Sequence, residues 1–165
     1  MPATYEKIAT TTLGSASATI TFSSIAATYT DLRVVFVGST NTVGNGIIVR
    51  FNSDTATNYS QTYLYGSGSA AGSGRQTSVG YLYLATAALS TTIPQLVTAD
   101  IFSYAGSTYK TVLGTASQDL NGSGYVDMNV GLWRSTSAIT TVALNNESGS
   151  FNIGTIATLY GIKAA

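Results

Sequence analysis

From Tyr5 to Ile162 the chain keeps returning to one pattern: a short run rich in Thr, Val, Ile, Tyr and Phe, then a cluster of Gly, Ser, Asn and Thr. β-Branched and aromatic residues suit a pleated, half-buried surface, and the intervening residue types supply turns. Strands are expected near 5–12, 18–22, 32–37, 46–52, 59–65, 75–85, 96–104, 109–116, 125–134, 138–145 and 156–162. Short strands with turn signals between them define a sandwich or barrel with antiparallel, Greek-key-like connections.

Two segments alternate cleanly. In Ala18–Phe22 and Tyr125–Arg134 every second residue is apolar, with Val126, Met128, Val130 and Leu132 on one face and Asp127 and Asn129 on the other. Such strands have one wet side. Leu32–Val37 is apolar on both faces apart from Arg33, which predicts a central strand or one whose second face meets another subunit. Two stretches also fit a helix: Leu96, Val97, Ile101 and Tyr104 have helical spacing, and 84–90 has room for a short helix. The low-complexity run Gly66–Gly74 reads as a flexible hairpin tip. No connection is long enough to separate two domains, so residues 1–165 are expected to form one.

The polarity of this chain comes from hydroxyls. Charged residues make up 8% of it, far below the roughly 25% of ordinary soluble domains, while 46 residues are Ser or Thr. Seven basic and seven acidic residues cancel and are scattered, leaving no footprint for a phosphate backbone, so nucleic acid is not an expected partner. Near-zero net charge weakens repulsion between copies and favours association. No apolar run approaches the about 18 residues of a membrane-spanning helix, and the first residues lack the basic and apolar segments of a secretion signal. A membrane partner is not expected, and release into a cytoplasm is.

Histidine and cysteine are both absent, which removes Ser-His-Asp and Cys-His catalysis and the commonest zinc ligands. The chain is therefore expected to be no enzyme and to carry no cofactor. One string has metal-ligand spacing: Asp119, Asn121, Ser123 and Gly124 match the start of a calcium loop, with Asp127 at its ninth position. Its twelfth position holds Val130 where a bidentate Glu belongs, and a tight Asn-Gly hairpin accounts for the same residues. Asn52, Asp54 and Asn58 crowd one connection, either lining a cation or sugar site or forming Asx-turns. Of the eleven tyrosines, Tyr59, Tyr63 and Tyr65 share one strand face, and Tyr81 and Tyr83 pair on another. Tyrosine joins a large apolar ring to a hydroxyl, so these stripes are candidates for a protein interface or a glycan surface, or for the ends of an ordinary core.

Three strings, taken together, resemble a group of virion proteins of tailed bacteriophages, especially cyanophages. They are Arg50-Phe-Asn52-x-Asp54-x-x-x-Asn58-Tyr59, Gly131-Leu-Trp133-Arg134-Ser-Thr-x-Ala138-Ile139-Thr140 and Phe151-x-x-Gly154-Thr155-x-x-x-Leu159-Tyr160-Gly161-Ile162. The resemblance implies an all-β, jelly-roll-like antiparallel β-sandwich of roughly 8–10 strands. Trp133 and Phe151 would fill its core, Gly154 and Gly161 would permit tight backbone, and the final strand would pair with the one near Tyr5–Thr12 and bury an edge. The function implied is a capsid decoration or cement protein of the virion, assembled in the host cytoplasm as a homo-oligomer, a trimer, on the major capsid protein. The alternative is a tail-fibre or tail-spike head that binds host glycan.

Overall fold

The computed structural model describes residues 5–88 and 90–163; segment 1–4, part of the stretch read for a secretion signal, lies outside them. Twelve strands, more than the sequence predicts, form two antiparallel sheets, and no helix occurs among the described residues. The strands are β1 (Tyr5–Thr12), β2 (Thr19–Phe22), β3 (Asp31–Gly38), β4 (Ile47–Phe51), β5 (Tyr59–Gly66) and β6 (Ala71–Val79). They continue with β7 (Leu82–Ala85), β8 (Gln95–Phe102), β9 (Lys110–Asp119), β10 (Gly124–Trp133), β11 (Val142–Asn146) and β12 (Ile156–Ile162).

The small sheet has the order β2-β11-β4-β7, and the large one β1-β12-β3-β8-β9-β10-β5-β6. Set the hairpins β5–β6 and β9–β10 aside, and the remaining eight strands have the interleaved order of a jelly roll, the first strand beside the last and the second beside the last but one. Both hairpins are added beyond β8, which widens one sheet from four strands to eight. The β1–β12 pairing expected from the sequence is present, with Tyr5 opposite Ile162 and Thr12 opposite Ile156.

Between the sheets lies one cluster of buried apolar side chains, built from alternate residues of both inner faces. Leu32, Val34 and Phe36 enter it from β3, which is indeed central, between β12 and β8. Phe151 and Trp133 are buried as expected: the Phe36 and Phe151 ring centroids lie 5.1 Å apart, and Trp133 lies 5.5 Å from Phe51. Ile20 and Phe22 face inward, as their alternation predicts. Gly154 has a left-handed backbone at φ 82°, and a Cβ on Gly161 would stand 2.3 Å from the Tyr29 ring.

Several local expectations change. The stretch 75–85 is two strands in different sheets, broken at Gly80, where a Cβ would stand 2.6 Å from the Thr55 carbonyl oxygen. The helical spacing after Pro94 loses to the β-branched residues, and β8 runs straight through it. Residues 84–88 and 90 form no helix; Leu89 lies outside the described residues. Gly66–Gly74 is mostly ladder: the turn is confined to Ser67–Ala70, closed by the Ser67 amide donating to the Ala70 carbonyl at 2.8 Å.

Candidate contact surface

The calcium-like string is a hairpin. Asn121 and Gly122 both have positive φ, 56° and 117°, as a two-residue turn with the right-handed twist of its strands requires. Leu120 N–H donates to the Ser123 carbonyl at 2.8 Å, and Asp119 Oδ1 accepts from the Asn121 amide at 2.7 Å. Asp119 points outward from β9, while Asp127, opposite Ala116 in the ladder, points inward. The sheet separates them, so Asp119, Asn121, Ser123 and Asp127 do not converge on one ion.

Asp127 is instead part of a buried polar network. Its Oδ2 accepts from the Thr86 amide and hydroxyl, both at 2.6 Å, and its Oδ1 accepts from Asn129 Nδ2 at 2.5 Å. These bonds tie the end of β7 to β10. Burial raises the Asp127 pKa above the usual carboxylate value, and the bonds from Thr86 and Asn129 offset only part of that rise.

The Asx-rich connection is likewise spent on neighbouring backbone and side chains. Asn52 Oδ1 accepts from the amides of Thr140 and Thr141, and its Nδ2 donates to the Ala138 carbonyl at 2.8 Å. Asp54 accepts from the Ala56 amide, from Asn58 Nδ2 and from the Trp133 indole N–H at 2.7 Å. Burial would raise the Asp54 pKa, but these three bonds outweigh it and hold the group below its ordinary value. Lys110, fully buried, points its ammonium at the carbonyls of Gly106 and Thr108. Burial lowers its pKa.

The tyrosines divide. Tyr59 belongs to the core and not to a surface: its ring lies 6.2 Å from Trp133 and its hydroxyl accepts from the Phe51 amide. Burial pushes its phenol up to about 12. Tyr63, Tyr81 and Tyr83 are half-buried and meet at the flank where the large sheet outruns the small one. Tyr83 stands edge-on to both Tyr63 and Tyr81, at 6.2 Å and 5.2 Å, and its hydroxyl donates to Glu147 at 2.8 Å. Gln61 completes the join, accepting from the Tyr83 amide at 2.6 Å. Tyr65 is the most exposed of the five and stacks on Tyr125, which the sequence reading did not single out. These rings close the open flank of the sandwich, so the stripe does structural work first.

The feature the sequence pattern did not reveal is the outer face of the large sheet. On β10 the expected sides are reversed. Asp127, Asn129, Gly131 and Trp133 face the interior, while Val126, Met128 and Val130 are 60%, 50% and 47% exposed. Trp133 sets the phase, because its ring fits among Phe51 and Tyr59, and Gly131 leaves space for Leu82, which a Cβ would approach to 2.7 Å. Cross-strand neighbours extend the apolar area: Leu64 lies opposite Met128, and Leu113 opposite Val130. A further row runs from Val126 through Ser117 to Leu96, Val37 and Ile156, crossing five strands. Two grooves indent this face. One of about 460 Å³ lies over Leu64, Thr115, Val126 and Met128; the other, about 830 Å³, lies between the 67–69 and 122–124 tips and Leu96.

Comparison with known protein families, with curated proteins and with solved structures finds no match for this chain.

Proposed function

We propose that this protein is a non-catalytic structural subunit of a tailed-phage virion, a decoration protein that binds the outer surface of the head and stabilises it. The observation that carries this reading is the exposed apolar face of the large sheet, which suits a subunit that packs against other protein molecules in an assembly. Soluble proteins seldom leave a contiguous patch of this kind in water unless it meets another molecule. Asn52, Asp54 and Asp127, which the sequence offers as candidate ligands, and the buried Lys110 are engaged with backbone groups and neighbouring side chains. The phage-like strings supply the particle: they mark a scaffold and not a reaction, and their Trp133 and Phe151 lie in the core. Many identical weak contacts on a symmetric shell add up to firm attachment.

Heads assembled with and without the protein test this. With it, heads are expected to withstand higher temperature before releasing their contents, and electron microscopy is expected to show several hundred copies spread over the shell. A handful of copies at the tail would replace this reading with that of a glycan-binding tail protein. Equal heat tolerance would remove the cementing role.

A further inference from the structure

We propose that the outer face of the eight-stranded sheet packs against the same face of a second copy of this chain, about a two-fold axis that runs along β10. The inference rests on the reading of that face as a contact surface and names its occupant, which leaves attachment to the head to the other surfaces of the pair.

Leu64, Leu96, Leu113, Val126, Met128 and Val130 are exposed on the adjoining strands β5, β8, β9 and β10, the part of the sheet that this axis overlaps, and a standard interface takes about 800 Å² from each partner. Two sheets packed face to face keep their strands within about 30° of one another, so a broad, nearly uncharged sheet is an apt partner for itself.

The charges fit the same symmetry. The ladder puts Arg75, Thr62, Val130, Leu113 and Asp100 in one row across β6, β5, β10, β9 and β8. Arg75 and Asp100 therefore stand on opposite sides of β10, each two strands or about 10 Å away. A half-turn about an axis along β10 exchanges the two sides. It brings Arg75 over the second copy's Asp100, and Asp100 under the second copy's Arg75. Arg75 is exposed, and its side chain has no ion-pair or hydrogen-bond partner among the described residues. Asp100 accepts one bond from Arg33 on each oxygen, both at 2.6 Å, and each oxygen retains a lone pair for a second donor. The same operation sets Leu64 against Thr115 and Leu113 against Thr62, where threonine methyls receive them. Val126, Met128 and Val130, on the axis, meet their own counterparts. The pair is two-fold, in place of the trimer that the phage resemblance implies.

Sedimentation of the purified full chain is the test, with the wild type expected to run as a dimer. Met128→Glu should weaken association by about 100-fold or more, because it buries charge against its own copy. Arg75→Glu should weaken it about tenfold by setting like charges opposite each other. Both side chains point to water in the single copy, so an unchanged far-ultraviolet circular dichroism spectrum of the two variants certifies their folding. The chain has no cysteine, so Met128→Cys should be captured as a covalent pair by a short bismaleimide, whereas Thr21→Cys, on the outer face of the small sheet, should not. A wild type that stays monomeric, a dimer that survives Met128→Glu, or cross-linking through Thr21→Cys instead of Met128→Cys would each overturn the proposal. A monomer that binds heads until Met128 is changed would overturn the pair alone, and a dimer that binds no head would overturn the decoration reading alone.

Discussion

Tyr63 and Gly74 face each other across the β5–β6 ladder, and the phenol ring lies over the glycine so closely that a Cβ there would stand 2.4 Å from it. Tyr65 and Gly72 repeat the arrangement one step on, at 2.5 Å. The rings cover an edge strand that has little side-chain area of its own, which replaces packing that glycine cannot supply. Gly74→Ala is expected to lower stability by about 1–3 kcal/mol by forcing the ring aside. In a Tyr63→Ala background the same change should cost far less, and a double-mutant cycle in chemical denaturation reads that coupling.

Lys110 donates to the backbone carbonyls of Gly106 and Thr108, which accept from no other side chain among the described residues. Lys110→Met keeps the aliphatic stem and removes the donors, so the carbonyls of Gly106 and Thr108 lose that partner. The expected loss is about 2–4 kcal/mol, visible as a lower urea midpoint with an unchanged slope.

Asp54 and Asp127 should titrate on opposite sides of the ordinary carboxylate pKa, which carbon-detected NMR of the two carboxyls would show. The depressed Asp54 pKa contributes stability that is present above the unfolded value and disappears as pH falls through the folded one. The raised Asp127 pKa acts in the reverse sense: its ionised form opposes folding at neutral pH, and stability rises as pH drops from its folded value towards the unfolded one. Asp54→Asn should therefore flatten the acid-side loss, and Asp127→Asn should remove the opposing gain.

The outer face can be made polar without touching the core. A Val126→Thr, Met128→Thr double variant is expected to change the stability of the single copy by no more than about 0.5 kcal/mol, since both side chains stand in water there. At dilutions where the pair has come apart, a dye such as anilinonaphthalene sulfonate should bind this variant far less than the wild type. Equal dye binding by the two proteins would mean the face is covered in the free chain.

The architecture was legible wherever a residue's local preference and its tertiary role agree. Ile20 and Phe22 alternate inward, Leu32–Val37 forms a central strand, and Asn121-Gly122 turns a hairpin, all as their chemistry dictates. Legibility failed where packing against a distant strand decided. On β10 the hydrophobic alternation by itself assigns Met128 to the interior. The large ring of Trp133 and the gap at Gly131 fix the opposite phase, and Thr86, far along the chain, satisfies Asp127 inside. Gly66–Gly74 misled for a similar reason, because its glycines look like slack until the tyrosines that lie on them are known. Tyr59 could not be told from Tyr65 by spacing, since both lie on one strand face and differ only in how far the small sheet reaches over them.

β1 finds its hydrogen-bonding neighbour at the far end of the chain, with Glu6 and Lys163 clasped at 2.7 Å beside the ladder. A ribosome delivering this chain thus produces its opening strand long before anything exists for that strand to zip against. Sealing that seam must await the closing residues, so truncating β12 would strand both ends of the molecule at once.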